Sequence, residues 1–216
     1  EFAQVESLYI ADGHHRAAAG ATIARRRRLP DRAQESDRVL AVFFPHDQLK
    51  VMDYNRAVKD LNGLTPAQFL EKVSAAFTVV KSFAEKSPRR LHDFGMYLGG
   101  VWYGLTVKEG AFDAQDPVAS LDAAILQECL LAPVLGIADP RTDDRIKFIG
   151  GIRGMAELEK LVDRDGYAVA FSLYPTTMEQ IMKVADAGKI MPPKSTWFEP
   201  KLRSGLFVHA LSGILV

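Results

Sequence analysis

The chain has 216 residues, 48% hydrophobic and 25% charged, the make-up of an ordinary globular protein rather than a disordered or collagen-like one. Its 27 basic residues balance 27 acidic ones, so no global charge pulls it toward nucleic acid or an anionic membrane. Cys129 is the only cysteine, which excludes an intrachain disulfide and a Cys-based zinc site, and no apolar run approaches the ~18 residues of a membrane span. A cytoplasmic protein with no membrane partner and no signal peptide is expected.

The stretch 7–28, SLYIADGHHRAAAGATIARRRR, organises the rest. A β-prone run (Leu8, Tyr9, Ile10, Ala11) ends at the turn dipeptide Asp12-Gly13. His14-His15-Arg16 then opens an alanine-rich helix that closes on Arg25–Arg28. Free N–H groups and the positive end of the helix dipole converge at that first turn, so a phosphate is its natural guest. Gly13, lacking a Cβ, admits a close ligand approach. The alternative is a solvated helix start, and the four arginines read equally as cations that offset the dipole at the helix end.

Residues 29–37 read as a surface loop. The run VLAVFF, 39–44, fits a strand buried on both faces, with LKVMDY, 49–54, pairing beside it as a hairpin and Asn55-Arg56 at a strand exit. Asn62-Gly63 marks a turn, and Thr65-Pro66 caps a helix with Phe69, Val73, Ala76 and Phe77 on its apolar face. A strand over 78–83 precedes a polar loop at 86–93, and FGMYLGGVWYGLTV, 94–107, reads as a hairpin turning at Gly99-Gly100 with Gly95 and Gly104 at bulges or close contacts. A helix over 117–131 is apolar nearly all round, hence deeply buried. Strand 146–149, helix 155–162, strand 167–173 and helix 177–187 follow, the last ended by Gly188. This alternation predicts at least one parallel pairing with a right-handed crossover, and 206–211 a closing strand. The fold class expected is α/β, mixed α+β, with a mixed sheet and flanking helices. It forms a single domain or two closely packed lobes, roughly 1–110 and 111–216.

Chemistry gathers in three places. At the first helix, Gly13, His14, His15 and Arg16 form a phosphate cradle, and Asp12 is the nearest base or Mg²⁺ ligand for phosphoryl transfer. His14 and His15 diverge by ~100° on a helix, so no metal site is assigned to them. The second is MPPKSTWFEPK, 191–201, where Lys194, Ser195 and Thr196 sit on a proline-stiffened loop followed by Lys201 and Arg203. It lacks the glycines of a P-loop, and Ser195 and Thr196 have a local backbone-bonding alternative. Trp197 and Phe198 offer either a base-stacking pair or core filler. The third comprises single polar residues at strand or turn ends: His46, Arg56 as a bidentate phosphate clamp, and Asp122 near a helix start, where dipole effects also account for it. Gly150-Gly151 reads as a ligand approach or a bare turn. No nucleophile elbow is present.

YIADGHHRAAA (9–19), VMDYNRAVKDLNGL (51–64), SLDAAILQECLLAPVLGI (120–137), IKFIGG (146–151) and MPPKSTWFEPKLRSGLF (191–207) together resemble the bacterial and archaeal family known as domain of unknown function 1015. Members of that family are about twice this length, which implies that this chain is the C-terminal portion of a longer protein. The DGHHR element also resembles the strand–turn–helix of the ParB/sulfiredoxin-like superfamily, which includes kinases of free serine. That resemblance implies a phosphotransferase using ATP or ADP with Mg²⁺ on a small hydroxyl metabolite such as serine. Asp12, His14 and His15 would be catalytic, and Gly13, His14, His15, Arg16, Arg56, Lys194, Ser195 and Thr196 would bind phosphate. Two alternatives stand beside it. One is a ParB-like nucleotide-sensing or nucleic-acid-associated module using Arg25–Arg28 and Arg32, against which the zero net charge argues. The other is a non-catalytic interaction domain.

Overall fold

The computed structural model describes residues 4–29, 33–198, 203 and 205–211. The chain divides into two compact units, Lys50–Glu199, and Glu1–Leu49 with Pro200–Val216. Among the described residues no helix is long and apolar enough to cross a membrane.

The Lys50–Glu199 unit is a mixed α/β structure. It contains β1 (Val51–Met52), β2 (Tyr54–Val58), α2 (Pro66–Ala76), β3 (Phe77–Lys81), β4 (Asp93–Leu98), β5 (Val101–Val107), α3 (Asp122–Leu126), β6 (Ile146–Gly150), α4 (Met155–Asp163), β7 (Val169–Leu173), α5 (Met178–Asp186) and β8 (Trp197–Phe198), while α1 (His14–Arg27) lies in the other unit. Six strands form one sheet in the order β3-β5-β4-β7-β2-β6, and β1 pairs with β8. Every ladder is antiparallel, which corrects the expected parallel pairing. The strand–helix–strand reading of β6-α4-β7 is right, and its two strands do run the same way. β2 inserts between them, pairing Arg56 with Phe148 on one side and Phe171 on the other. Residues on both sides of position 110 therefore share one sheet.

Period-two alternation sorts the side chains onto two faces. Val58, Phe94, Met96, Leu98, Leu105, Val169 and Phe171 meet Phe69 and Val73 of α2 and Ile125 and Leu126 of α3. Ala57, Tyr97, Trp102, Ile149 and Ala170 meet Leu158 and Leu161 of α4. α2 begins as expected, with the Thr65 hydroxyl accepting from the Gln68 amide in a capping box. The β4–β5 hairpin turns at Gly99 and Gly100, both at positive φ. Gly95 and Gly104 face each other across it, and a Cβ on Gly95 would lie 2.3 Å from the Lys86 carbonyl and from the Ser172 hydroxyl. The buried helix at 117–131 starts later than its composition suggested. Asp116 accepts from the Val118 and Ala119 amides and holds a turn until Asp122, after which α3 runs into a π turn at Gln127–Leu131.

In the other unit, α1 forms where expected, but none of its residues is buried. Residues 8–11 carry no ladder, so the strand before the turn is not formed. The 39–44 segment is likewise no strand and is not buried, with Val39, Leu40, Val42 and Phe44 between 50 and 61% exposed. Its expected hairpin partner is engaged elsewhere, β1 with β8 and β2 inside the large sheet. An apolar run sets a preference for burial, whereas a strand needs a neighbour for its backbone groups. Residues 206–211 form no closing strand.

Candidate functional site

Arg56 is not at a strand exit but in the middle of β2, where all five residues are buried. Alternation puts it on the same sheet face as Tyr54 and Val58, and its guanidinium lies 5.9 Å from the Tyr54 ring centroid and 5.2 Å from that of Phe148. The residue is 3% exposed. Its hydrogen bond among the described residues is Nη2 donating to the Lys194 carbonyl at 2.9 Å, and it makes no ion pair there. A guanidinium has five N–H donors, so most of its capacity is unused. Burial holds its pKa down to about 10, with Tyr54 pulling the other way.

The structure brings Lys194 to this place. Its ammonium lies 5.9 Å from the same Tyr54 ring, so one aromatic ring faces two cations. Lys194 has φ 59°, a left-handed conformation that non-glycine residues rarely adopt. The 192–196 segment is a strap fixed at few points. Ser195 donates its hydroxyl to the Pro192 carbonyl at 2.7 Å, and Thr176 donates its hydroxyl to the Ser195 carbonyl at 2.8 Å. The Ser195 hydroxyl is thus committed to its own loop, the local alternative raised by the sequence. Trp197 follows in β8, edge-on to Tyr54 with centroids 5.0 Å apart.

The glycine pair at 150–151 gives no open approach. A Cβ on Gly150 would lie 2.8 Å from the Trp197 indole, and the Asp53 carboxylate fills the space over Gly151. Asn55, fully buried, donates to Asp53 and accepts from the Leu173 amide at 3.0 Å, bridging the gap where β2 and β7 stop pairing. Asp53, Tyr54, Phe148 and Thr176 were not singled out in the sequence, and Asn55 was noted only beside Arg56 at the expected strand exit. The signal was available in DYNR, where Asn and Arg interrupt an otherwise β-prone run.

At the first helix Gly13 has φ 91°, and its N–H donates to the Asp12 carboxylate at 2.9 Å. Arg16 lies 3.7 Å from the other Asp12 oxygen, and its guanidinium folds back so that a Cβ on Gly13 would touch it. The Asp12 carboxylate therefore takes up groups an incoming anion would use. His14 and His15 are exposed, as is His46 in a 3₁₀ turn. The 25–27 arginines occupy the last turn of α1, and Arg28 follows as its cap. Arg32 and Lys201 lie outside the described residues.

Asp122 begins α3 and is 5% exposed. Its Oδ1 accepts the His92 amide at 3.0 Å, while Oδ2 is buried without a partner among the described residues. Burial pushes its pKa up to about 7.

These features define a mixed α/β protein with a buried cation against one face of an antiparallel sheet. The family model described as "Protein of unknown function (DUF1015)" matches residues 1–124, more than half of the chain, and the chain belongs to that family. No curated protein matches it. Among solved structures, a conserved hypothetical protein from Pyrococcus furiosus is similar at 15% identity over 87% of this chain and 68% of its own, with a TM-score of 0.47. A free serine kinase mutant in complex with AMP is similar at 17% identity over 70% of this chain and 54% of its own, with a TM-score of 0.42. A free serine kinase mutant in complex with ADP is similar at 20% identity over the same shares, with a TM-score of 0.40. The chain thus spans about half the length of the free serine kinases it matches.

Proposed function

We propose that this protein is a nucleotide-dependent phosphotransferase acting on a small hydroxyl metabolite, serine being the first to try. The observation that carries the reading is Arg56, a buried guanidinium with no carboxylate partner among the described residues, one ring away from Lys194. A buried cation left uncompensated is costly, and a bidentate phosphate satisfies both its charge and its unused donors. The DGHHR turn, in the other unit, separately offers a helix N-terminus of the kind that receives phosphate. In this reading Gly13, His14, His15 and Arg16 hold phosphate, with His14 and His15 also serving the transfer. Asp12 takes the acceptor's proton or helps to hold the Mg²⁺ that the nucleotide brings. Arg56 and Lys194 neutralise phosphate charge, with Thr196 as a further donor beside the committed Ser195. As the acceptor oxygen bonds to the terminal phosphorus, the bridging P–O bond of the nucleotide breaks and its electron pair stays with the shortened nucleotide.

The test is calorimetric titration of ATP, ADP and CTP, with and without Mg²⁺, followed by a transfer assay with serine and other hydroxyl acceptors. Micromolar binding that weakens in both His14→Ala/His15→Ala and Arg56→Met supports the reading. Binding of no nucleotide, or binding unchanged in both variants, refutes it.

A further inference from the structure

The Lys194 carbonyl is an odd partner for a buried guanidinium. It is neutral, it uses one of five donors, and it leaves the charge without a counter-charge among the described residues. Among the described residues the strap bearing it is hydrogen-bonded to the body through the Arg56 bond, the Thr176 hydroxyl on the Ser195 carbonyl, and the two-residue pairing of β8 with β1, and Trp197 packs edge-on to Tyr54 at its far end. It also keeps Lys194 in a left-handed backbone conformation that persists only where surrounding contacts enforce it.

We infer that the Lys194 carbonyl is a place-holder on Arg56 and that residues 192–196 form a latch, released when a phosphoryl dianion takes the guanidinium. This rests on the reading above that Arg56 belongs to a phosphate site. A charge-assisted bidentate contact is stronger than a single bond to a neutral carbonyl, so the anion wins the exchange. The apolar walls of Tyr54 and Phe148 strengthen that attraction by keeping the local dielectric low. The Lys194 side chain and the Thr196 hydroxyl, which has no hydrogen-bond partner among the described residues, supply further donors, suiting an anion with more than two acceptor oxygens. The source is either free phosphate or the distal phosphate of a nucleotide.

Trp197 adjoins the latch and reports its movement. The sequence contains two tryptophans, and Trp102 is tied to Glu159 by its indole N–H at 2.7 Å. The 216-residue chain labelled with 5-fluorotryptophan therefore gives two ¹⁹F resonances, assigned with a Trp102→Phe variant. Titration with inorganic phosphate, and separately with ADP, shifts the Trp197 resonance saturably and leaves Trp102 in place. Arg56→Met weakens the response by about tenfold to a hundredfold. Thr176→Val is the decisive variant. Removing a fastening of the closed latch tightens phosphate binding by about twofold to tenfold, whereas a rigid site that used Thr176 would be weakened. Either source of phosphate producing the shift supports the latch. It is overturned if Arg56→Met binds phosphate as well as the parent, if Trp197 stays still while phosphate binds, if Thr176→Val weakens binding, or if acetate replaces phosphate in the response. Nucleotide turnover with an unmoved Trp197 would end the latch alone. A moving Trp197 without turnover of any nucleotide would end the phosphotransferase reading alone.

Discussion

Replacing Asp122 by Asn should make the stability of the Lys50–Glu199 unit less dependent on pH, and the two profiles should cross. The carboxyl is buried at the start of α3 with one oxygen accepting the His92 amide and the other unpartnered among the described residues. Burial raises its pKa from 3.8 to about 7, with nearby Asp93 adding to the rise and the His92 bond opposing it. The folded protein thus holds a proton that the unfolded chain releases. The stabilisation is complete below pH 3.8, declines as pH rises and is lost above about 7. Over that interval the loss is about 4 kcal/mol. Asn keeps an acceptor for His92 but places an amide N–H₂ where Oδ2 has no partner, a pH-independent cost of about 1–3 kcal/mol. Asp122→Asn should then be less stable than the parent at pH 4 and more stable, by about 1–3 kcal/mol, at pH 8. Urea denaturation followed by tryptophan emission reads this unit, since Trp102 and Trp197 both lie in it. Subtracting the profiles cancels the carboxylates common to both proteins. Parallel profiles across pH 4–8 would refute the argument.

Gly95→Ala should destabilise by about 3 kcal/mol or more in a thermal melt, since its methyl would drive into the Lys86 carbonyl and the Ser172 hydroxyl. Thr65→Ala should cost about 1 kcal/mol through loss of the α2 capping box, again read by urea denaturation. Arg56→Met should raise the stability of the same unit by about 1–3 kcal/mol, because it removes a buried charge with no counter-charge among the described residues, and on the proposed reading it should weaken phosphate binding. Asn55→Asp should set two carboxylates against each other beside Leu173 and cost about 3 kcal/mol or more at pH 8. Acidification or the second change Asp53→Asn should restore most of that loss, and failure of both to do so in urea melts would contradict the assigned Asn55–Asp53 bond.

The local elements were well marked in the sequence because their signals are local. Thr65-Pro66, Gly99-Gly100 and Gly188 state where a helix starts, a hairpin turns and a helix stops, without reference to anything distant. Pairing was less legible. The 39–44 run is as apolar as a central strand, yet its composition says only that it prefers burial, and no ladder reaches it. The β6-α4-β7 alternation carries the direction of two strands but not the identity of the strand that enters between them. The site was half legible in the same way. Arg56 and Lys194 stood out by residue type, but 138 positions separate them, and only the fold puts the carbonyl of one on the guanidinium of the other. Asp53 passed unremarked and Asn55 was placed at a strand exit because a polar residue in a β-prone run ordinarily marks a solvent-facing position.

Arg56 and Asp122 both break the rule that buried charges are paired, and the way each can escape the penalty separates their roles. Asp122 carries its own remedy. A carboxyl pushed up to about 7 takes a proton under mild conditions and becomes neutral, so the fold tolerates it without help from outside. Arg56 has no such exit. Even held down to about 10, the guanidinium stays charged at any ordinary pH, and the Lys194 carbonyl offers it a dipole but no counter-charge. Its position on β2, paired on one side with β6 and on the other with β7, also denies it the freedom to turn outward to water. A group that can neither discharge nor leave keeps its charge, and on the reading proposed above an arriving anion meets it. On that proposed reading, a charge left unmatched among the described residues of a rigid strand waits for an anionic ligand, whereas a buried acid that can neutralise itself bears on stability alone.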